Sequence, residues 1–403
     1  MDYLTNDTDI KKVADAIRAK GGTSAQLVYP AGFVSAISGI KSAPATPYMD
    51  AEYVAVDTTD GGQSHYIKHA KLYNHTAIYA YEFATQGQLK NLDLSDASNN
   101  IAAVEEWAFQ NALGFGLVLP NTITSLGQGC FYGASITTLT IPPLVTVLPA
   151  SAFSSIGPAY NNETREELPL NIILPQNLTK IGNHCFDGAS IKQITIPDTV
   201  AEIGEGAFNY CMALESFTIP PLLQKISDRM LCQCESLTSI AIPASVTEIG
   251  AYAFSGMGIT SITIPATITT LGMGMLSGCV SLATINIQAN VTEIPDRFAQ
   301  ESGRTSVTLP DTVETIGESA FLSSSAVLSE ITIPASITSI GAYAFAQNGS
   351  VSTITCLAAT PPTLGRNVFS TSSGTTIKVP AASVAAYKSA ADWSEWADII
   401  VAM

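Results

Sequence analysis

Two short groupings of cysteine and histidine are the residues best suited to chemistry in this chain. Cys232 and Cys234 are separated by one residue, a spacing that can present two thiolates to one metal ion, although no matching second pair of ligands is visible. His184 precedes Cys185, and a neighbouring imidazole can activate a thiol as a nucleophile. The alternative is that these thiols are small apolar side chains of a core.

Three of the four histidines lie close together near the N-terminus, at His65, His69 and His75. His65 and His69 are four residues apart, so on a helix they would share one face and could bind a metal ion. No glutamate stands in the arrangement that metalloprotease motifs require. Ordinary surface or cap histidines are therefore the alternative interpretation.

The motifs of the common enzyme classes are absent from the sequence. It contains no Gly-x-Ser-x-Gly elbow, no phosphate-binding P-loop, no Gly-x-Gly-x-x-Gly fingerprint and no paired-cysteine zinc pattern. We therefore expect a protein that is not an enzyme and that has no cofactor and no bound metal.

A sequence repeat runs through most of the chain, so it must determine the fold that positions any functional site. Prolines that follow an apolar residue recur at intervals of 22 or 23 residues, at Pro175, Pro197, Pro220, Pro243 and Pro265. The series extends to Pro120 and Pro142 before it and to Pro310, Pro334 and Pro380 after it, where gaps of 45 and 46 residues each correspond to two periods. A fixed period of this size indicates a solenoid. Since one turn cannot bury its own apolar face, the turns must stack and share a core.

Aligned on the proline, the turns indicate which residues face that core. The tripeptide before it, as in Ile262-Thr263-Ile264, alternates like a half-buried strand, so its outer residues should point inward and its threonine outward. Downstream come an apolar residue, a glycine and an Ala-Phe pair, as in Ile249, Gly250 and Ala253-Phe254. The phenylalanine is expected to fill the inside of the coil.

Six of the seven cysteines fall in apolar columns of this alignment, which predicts buried, reduced thiols rather than a disulfide framework. They are Cys130, Cys185, Cys211, Cys234, Cys279 and Cys356. Two turns depart from the pattern. Pro295 replaces the glycine in one, and Met230-Leu231 replaces Ala-Phe in the other. We expect both turns to be locally irregular.

The full pattern, L-x-x-I-x-I-P-x-x-V-x-x-I-G-x-x-A-F-x-x-C, resembles the BspA-like (Treponema-type) leucine-rich repeat, and residues 237–257 match it well. The resemblance covers roughly residues 89–380. It implies a right-handed superhelix with a strand-lined concave face, and its members are mostly bacterial surface or adhesive proteins. We therefore predict a β-rich leucine-rich-repeat solenoid of parallel strands, with about 12 turns of roughly 22–24 residues.

The composition argues against several classes of partner. Of the 403 residues only 13% are charged, and the net charge is −16. A negative field of this size opposes binding to nucleic acid or to anionic membranes. No apolar window is long enough for a membrane span. The first residues lack the basic and apolar regions of a secretory signal peptide, so none is expected.

The two ends differ from the repeat and define the expected domain organisation. The opening of the chain, V-A-D-A-I-R-A-K-G-G-T followed by Y-P-x-G-F-V-x-A-I, is similar to the N-terminal segment of phage and prophage tail-associated proteins of Firmicutes. We predict a helical attachment module over 1–40, a linker over 41–50, an irregular N-terminal cap over 51–88, the solenoid over 89–380 and a C-terminal helical cap over 381–403. Trp393 and Trp396 either seal the end of the core or form a carbohydrate platform.

Two surfaces are candidates for partner binding. The interval from Pro142 to Pro175 is 33 residues, and insertions in solenoids map to loops that often lie on a binding face. This insertion supplies the candidates Tyr160, Asn161, Asn162, Glu163 and Arg165. The outward column of the strands supplies the candidates Thr195, Thr218, Thr263, Thr308 and Thr332. Each surface also has a structural alternative, since insertions are tolerated and threonine suits exposed strands.

Two non-catalytic functions remain open. The first is a phage or prophage tail-associated recognition protein of a Gram-positive, gut-type bacterium, docked to a larger assembly through residues 1–40 and located on the virion. The second is a BspA-like adhesin on the outer surface of the cell that binds host matrix proteins or glycans. In either case the expected partner is a protein or a glycan on a cell surface.

Overall fold

The computed structural model describes residues 47–57, 63–86, 89, 91–97, 99–115, 117–158, 170–303, 306–323, 328–348, 351–371 and 374–403. The attachment module predicted for residues 1–40 lies outside them. The described chain forms a solenoid of about 13 turns with parallel strands and few helices.

An antiparallel hairpin of β1 (Tyr48–Asp57) and β2 (Gln63–Tyr73) precedes the solenoid. The later strands of the described chain are two to four residues long and pair in parallel. They are β3 (Ala77–Ile78), β4 (Asn91–Asp93), β5 (Ala103–Val104), β6 (Leu113–Phe115), β7 (Ser125–Leu126), β8 (Ser135–Ile136), β9 (Thr138–Thr140), β10 (Val147–Leu148), β11 (Gly157–Pro158), β12 (Asn171–Ile173), β13 (Lys180–Ile181), β14 (Glu202–Ile203), β15 (Lys225–Ile226), β16 (Glu248–Ile249), β17 (Ser261–Ile264), β18 (Thr270–Leu271), β19 (Thr284–Ile287), β20 (Glu293–Ile294), β21 (Ser306–Thr308), β22 (Thr315–Ile316), β23 (Glu330–Ile333), β24 (Ser339–Ile340), β25 (Thr353–Cys356), β26 (Thr363–Leu364), β27 (Thr376–Val379) and β28 (Ile400–Ala402). Before β28, the helix α1 (Val384–Ser389) lies between two 3-10 helices, Ala381–Ser383 and Ala391–Ile399.

Each turn has three sides. The strand face is formed by the segments that precede the repeat proline, such as β17 and β23. The back sheets are built from the two-residue strands, such as β16 and β18. The turn face is the bend that carries the Ala-Phe pair. In β17 Ile262 and Ile264 are buried and Thr263 is exposed, so the predicted alternation is confirmed.

A column of phenylalanines runs along the inside of the coil. Six of them stack face to face, with ring centroids 5.0–5.5 Å apart and planes within 13° of parallel. These six are Phe83, Phe109, Phe131, Phe153, Phe186 and Phe208. A second stack, from Phe321 through Phe345 to Phe369, ends against Trp393 and Trp396. Because both tryptophans are buried, they close the C-terminal end of the core and do not form a platform.

One turn between the two stacks exchanges its large and small residues. The backbone N–H of Ala299 donates to the carbonyl of Ala320, which is the bond that a column phenylalanine makes to the next turn. Ala299 therefore occupies the phenylalanine position, and the buried Phe298 occupies the alanine position. The preceding turn fills the same two positions with Met275 and Leu276, both buried. Phe298-Ala299 thus keeps the two residue types of the usual pair in exchanged positions, whereas Met275-Leu276 replaces both of them.

A column of glycines determines how closely the back sheets stack. Its members are Gly127, Gly182, Gly204, Gly250, Gly272, Gly317, Gly341 and Gly365. A Cβ atom added to Gly272 would lie 2.2 Å from the backbone of Gly250 in the preceding turn. At the other members the nearest backbone atom would lie 2.3–2.7 Å away. A side chain therefore does not fit while the turns keep this spacing.

The back sheets are interrupted at three positions where the column lacks glycine. Pro149, Ser227 and Pro295 hold these positions, and the breaks fall between β7 and β10, between β14 and β15, and between β18 and β20. Clefts of about 590 and 300 Å³ open at the second and third breaks. Glu105 is an exception in this column, because β3 and β5 stay paired beside it and its N–H donates to the carbonyl of Ile78.

The positions of these breaks test the two irregular turns that the sequence predicts. The one at Pro295 is confirmed, because proline has no N–H to give to the ladder. The one expected in the turn that carries Met230-Leu231 is confirmed as well, because the break at Ser227 lies in that turn. Met230 and Leu231 themselves are buried and keep their backbone bonds to the neighbouring turns.

The N-terminal region is more regular than the cap predicted for residues 51–88. It contains β1, β2 and β3, and β2 pairs in parallel with β4. Phe83 is fully buried and stacks on Phe109 at 5.4 Å, so the shared core already includes this turn. The sequence pattern misses the turn because no repeat proline precedes it.

We predict opposite effects of alanine at two glycines. Gly272→Ala should lower the free energy of unfolding by about 2–3 kcal/mol, because the new Cβ collides with the backbone of the preceding turn. Gly157→Ala should leave stability unchanged or raise it by up to about 1 kcal/mol, since no heavy atom lies within 4 Å of its added Cβ. Urea unfolding followed by circular dichroism measures both. Equal losses would contradict the role of the glycine column.

Candidate functional site

The strand face presents a row of hydroxyl groups to solvent. Its predicted members Thr195, Thr218, Thr263, Thr308 and Thr332 are all exposed. Only Thr263, Thr308 and Thr332 lie on strands, so the strand position predicted for Thr195 and Thr218 is wrong. The register places Thr263 beside Asn286 and Asn286 beside Thr308, and Thr332 lies beside Thr355. Neighbouring strands of a sheet are about 4.8 Å apart, so the polar groups recur at that step. Among the described residues, these five threonine hydroxyls have no hydrogen-bond partner.

A second set of hydroxyls has a structural role that the sequence analysis missed. Two residues after the repeat proline, a threonine or serine donates to a carbonyl of the preceding turn, with oxygen–oxygen distances of 2.5–2.9 Å. The donors are Thr122, Thr199, Thr267, Thr312 and Ser336. Their constant position two residues after the repeat proline is the sequence signal that could have revealed this role. The hydroxyls that follow the proline thus hold neighbouring turns together, whereas those of the strand face point to solvent.

The N-terminal part of the strand face carries exposed apolar residues among its hydroxyls. Val118 is 84% exposed, and Ile173, which pairs with the exposed Thr140, is 46% exposed. Shallow grooves of about 420 and 460 Å³ lie on the two sides of Val118. This end of the face is therefore more apolar than the part that carries Thr263 and Thr308.

The insertion candidates Tyr160, Asn161, Asn162, Glu163 and Arg165 lie outside the described residues. Pro158 and Leu170 are the described residues that flank them. Their role in binding stays a prediction.

The thiols are built for packing rather than for nucleophilic attack. All six cysteines assigned to apolar columns are buried, as the sequence predicted. Burial raises the pKa of Cys234 to about 12 and that of Cys279 to about 12. Burial also raises the pKa of Cys185 well above its ordinary value, so the neighbouring His184 does not meet a thiolate. Three thiols instead donate to phenylalanine carbonyls, as Cys211 does to Phe186 at 3.1 Å.

The histidine and cysteine groupings form no metal site in the described part of the chain. No cluster of three or more His, Cys, Asp or Glu side chains there could hold an ion. The helix considered for His65 and His69 is wrong, because both lie on strand β2. Cys232 is half-buried, and desolvation raises the pKa of its thiol.

A buried ion pair joins the hairpin to the first turn. His75 is 2% exposed, and its Nε2 lies 3.0 Å from a carboxylate oxygen of Glu82. Its Nδ1 lies 2.9 Å from the carbonyl oxygen of Tyr73. Both ring nitrogens face acceptors, so the doubly protonated ring satisfies both contacts. Burial lowers the pKa of His75, but the hydrogen bond to Glu82 and the charge of that carboxylate raise the pKa by more.

The repeat and its columns match a known family. The model of the BspA type leucine rich repeat region matches residues 76–168, 165–283 and 273–391. The chain belongs to the BspA-type leucine-rich repeat family. No curated protein matches its sequence. In the described residues, no helix is long and apolar enough to cross a membrane.

One solved structure supports the fold, and further leucine-rich repeat and surface proteins show a weaker likeness. A leucine-rich repeat protein from Bacteroides ovatus is 21% identical, with a TM-score of 0.50 over 88% of this chain and 99% of that one. A leucine rich cell surface protein from Faecalibacterium prausnitzii is 21% identical, with a TM-score of 0.38 over 81% of this chain and 96% of that one. The pneumococcal vaccine antigen PcpA is 13% identical, with a TM-score of 0.40 over 88% of this chain and 97% of that one.

The His75–Glu82 pair predicts a specific dependence of stability on pH. The pKa of His75 in the fold lies above its unfolded value near 6.5, so the pair stabilises fully below about pH 6.5 and loses this contribution as the pH rises through the folded-state pKa. The excess thermal stability of the wild type over His75→Gln should therefore shrink between about pH 6 and about pH 9. The partly exposed His69→Gln is the control variant. A difference for His75→Gln that stays constant with pH would contradict the pair.

Proposed function

We propose that the chain is a non-catalytic recognition protein that acts at a bacterial cell surface and binds a host protein or a glycan through its strand face. The observation that carries this proposal is the row of solvent-facing threonine hydroxyls without partners among the described residues. Hydroxyls spaced by the strand step can each pair with successive polar groups of an extended ligand. Many weak contacts along one rod then add up to useful affinity.

The chemistry of the described thiols and histidines supports a binding role over a catalytic one. A nucleophilic cysteine needs a lowered pKa, and burial shifts the pKa of these thiols upward. The grooves beside Val118 are shallow, and their lining contains no histidine or cysteine. Membership of the BspA-type family favours a cell-surface adhesin over a phage-tail recognition protein.

A ligand screen with a matched pair of variants tests the proposal. Immobilised extracellular-matrix proteins and glycans are probed with the full chain and with Thr263→Arg/Thr308→Arg, which places bulky cations on the strand face. We expect a bound ligand to lose at least about tenfold in affinity, because the arginines obstruct contact along several turns. Thr270→Arg, on the exposed side of a back-sheet strand in the same turn, is the control. Equal losses for both variants, or no ligand in the screen, would overturn the proposal.

The particle-associated alternative depends on residues 1–40 alone. If these residues dock the chain onto a phage tail, their deletion should abolish incorporation into particles made by the producing strain, while the remaining chain keeps its circular dichroism spectrum. Retained incorporation would exclude docking through this segment.

A further inference from the structure

The turn face carries a column of residues in the left-handed backbone region, two positions before the phenylalanine column. Their φ angles lie between 52° and 60°. The column comprises Tyr81, Trp107, Gly129, Ser151, His184, Gly206, Arg229, Tyr252, Gly274, Arg297, Ser319, Tyr343 and Asn367. Glycine is the least costly residue in this conformation, whereas bulky residues are strained in it. The column nevertheless carries several large rings.

Three of these rings are followed in the next turn by a glycine on which they lie. A Cβ added to Gly129 would come within 2.2 Å of the six-membered ring of Trp107. Corresponding distances are 2.6 Å from Gly206 to the ring of His184 and 2.4 Å from Gly274 to the ring of Tyr252. The ring thus occupies the space that a side chain of the next turn would fill. Trp107 itself is partly exposed, so part of the indole remains accessible to solvent.

Trp107 differs from the other two rings in what surrounds it. Tyr252 has the guanidinium of Arg229 over its ring at 5.7 Å and receives a hydrogen bond from Arg297. His184 is 3.2 Å from Asp187. Trp107 instead has the ring of Tyr132 edge-on at 5.7 Å, with an interplanar angle of 64°. Neither its indole N–H nor the Tyr132 hydroxyl has a hydrogen-bond partner in the described part of the chain.

We propose that Tyr81, Trp107 and Tyr132 form a binding platform for a neutral pyranose sugar of a glycan. The C–H groups on one face of a pyranose make an apolar patch that stacks on an aromatic ring, while its peripheral hydroxyls need polar partners. The indole N–H and the tyrosine hydroxyls stand at the ring edges for this purpose. Tyr81, one turn earlier in the same column, is 55% exposed and extends the aromatic surface along the rod.

The charges beside the platform select against anionic sugars. Glu106 is exposed and directly precedes Trp107 in the chain, and the whole protein has a net charge of −16. A sulfated or carboxylated glycan would be repelled by this field. Gln128, exposed next to Gly129, adds a neutral amide that can pair with a hydroxyl.

This inference goes beyond the proposed function, because it concerns the turn face and not the strand face. The two proposals can therefore fail separately. Substitutions on the strand face, such as Thr263→Arg/Thr308→Arg, should leave binding at the platform unchanged.

The test measures binding of neutral oligosaccharides to the full chain. The probes are cellohexaose, maltohexaose, mannohexaose and chitohexaose, with heparin and polygalacturonate as anionic comparators. Two of the three tryptophans, Trp393 and Trp396, are buried, so quenching by acrylamide reports mainly on Trp107. We expect at least one neutral probe to bind to the wild-type protein and to reduce the acrylamide quenching of its tryptophan fluorescence. This measurement requires no variant.

Variants then locate the site. Trp107→Ala should weaken binding of that probe at least about tenfold, and Trp107→Phe should retain part of it. Tyr343→Ala, in the same column but beside Arg366, is the matched control and should bind like the wild type. The proposal is overturned if no neutral probe binds, if Trp107→Ala binds as tightly as the wild type, or if only the anionic probes bind.

Discussion

The small step between consecutive turns is the constraint on which the other features of this solenoid depend. Parallel strands hold neighbouring turns about 4.8 Å apart, and the glycine column allows the backbones to approach that closely. At this step, phenylalanines in the same column of consecutive turns stack face to face, whereas Phe298, in the alanine position, meets Phe321 edge-on. Where proline or serine replaces glycine, the back sheets separate while the phenylalanine side stays continuous.

The same step separates structural polar groups from available ones. Within the coil, Thr199 and Thr267 donate to carbonyls of the preceding turn, and buried thiols such as Cys211 do the same. Each of these donors meets its partner because equivalent residues of neighbouring turns are superposed. Outward positions such as Thr263 have no such neighbour above the sheet and remain open to a ligand. A BspA-type repeat can therefore vary its surface without disturbing the bonds that hold it together.

The sequence predicted the features that recur in every turn and missed those that depend on two particular turns. The period, the inward isoleucines and the buried cysteines followed from columns, because each column averages over many turns. Ser227 matches no sequence pattern that predicts a break in the back sheet. Its effect becomes visible only in its contact with Ile203 of the preceding turn. Phe298 and Ala299 are the expected residue types in reversed order, so the residue types alone do not reveal that the two have exchanged positions. The ring of Trp107 on Gly129 and the contact of His75 with Glu82 likewise join residues that no local pattern links.

The three breaks in the back sheets have a mechanical consequence. When a rod of stacked coils is pulled from its two ends, the load passes from coil to coil through main-chain hydrogen bonds on all sides. At Pro149, Ser227 and Pro295 one side carries fewer of these bonds, so the rod should yield and flex there first. Bending of the described rod should therefore concentrate at these three breaks.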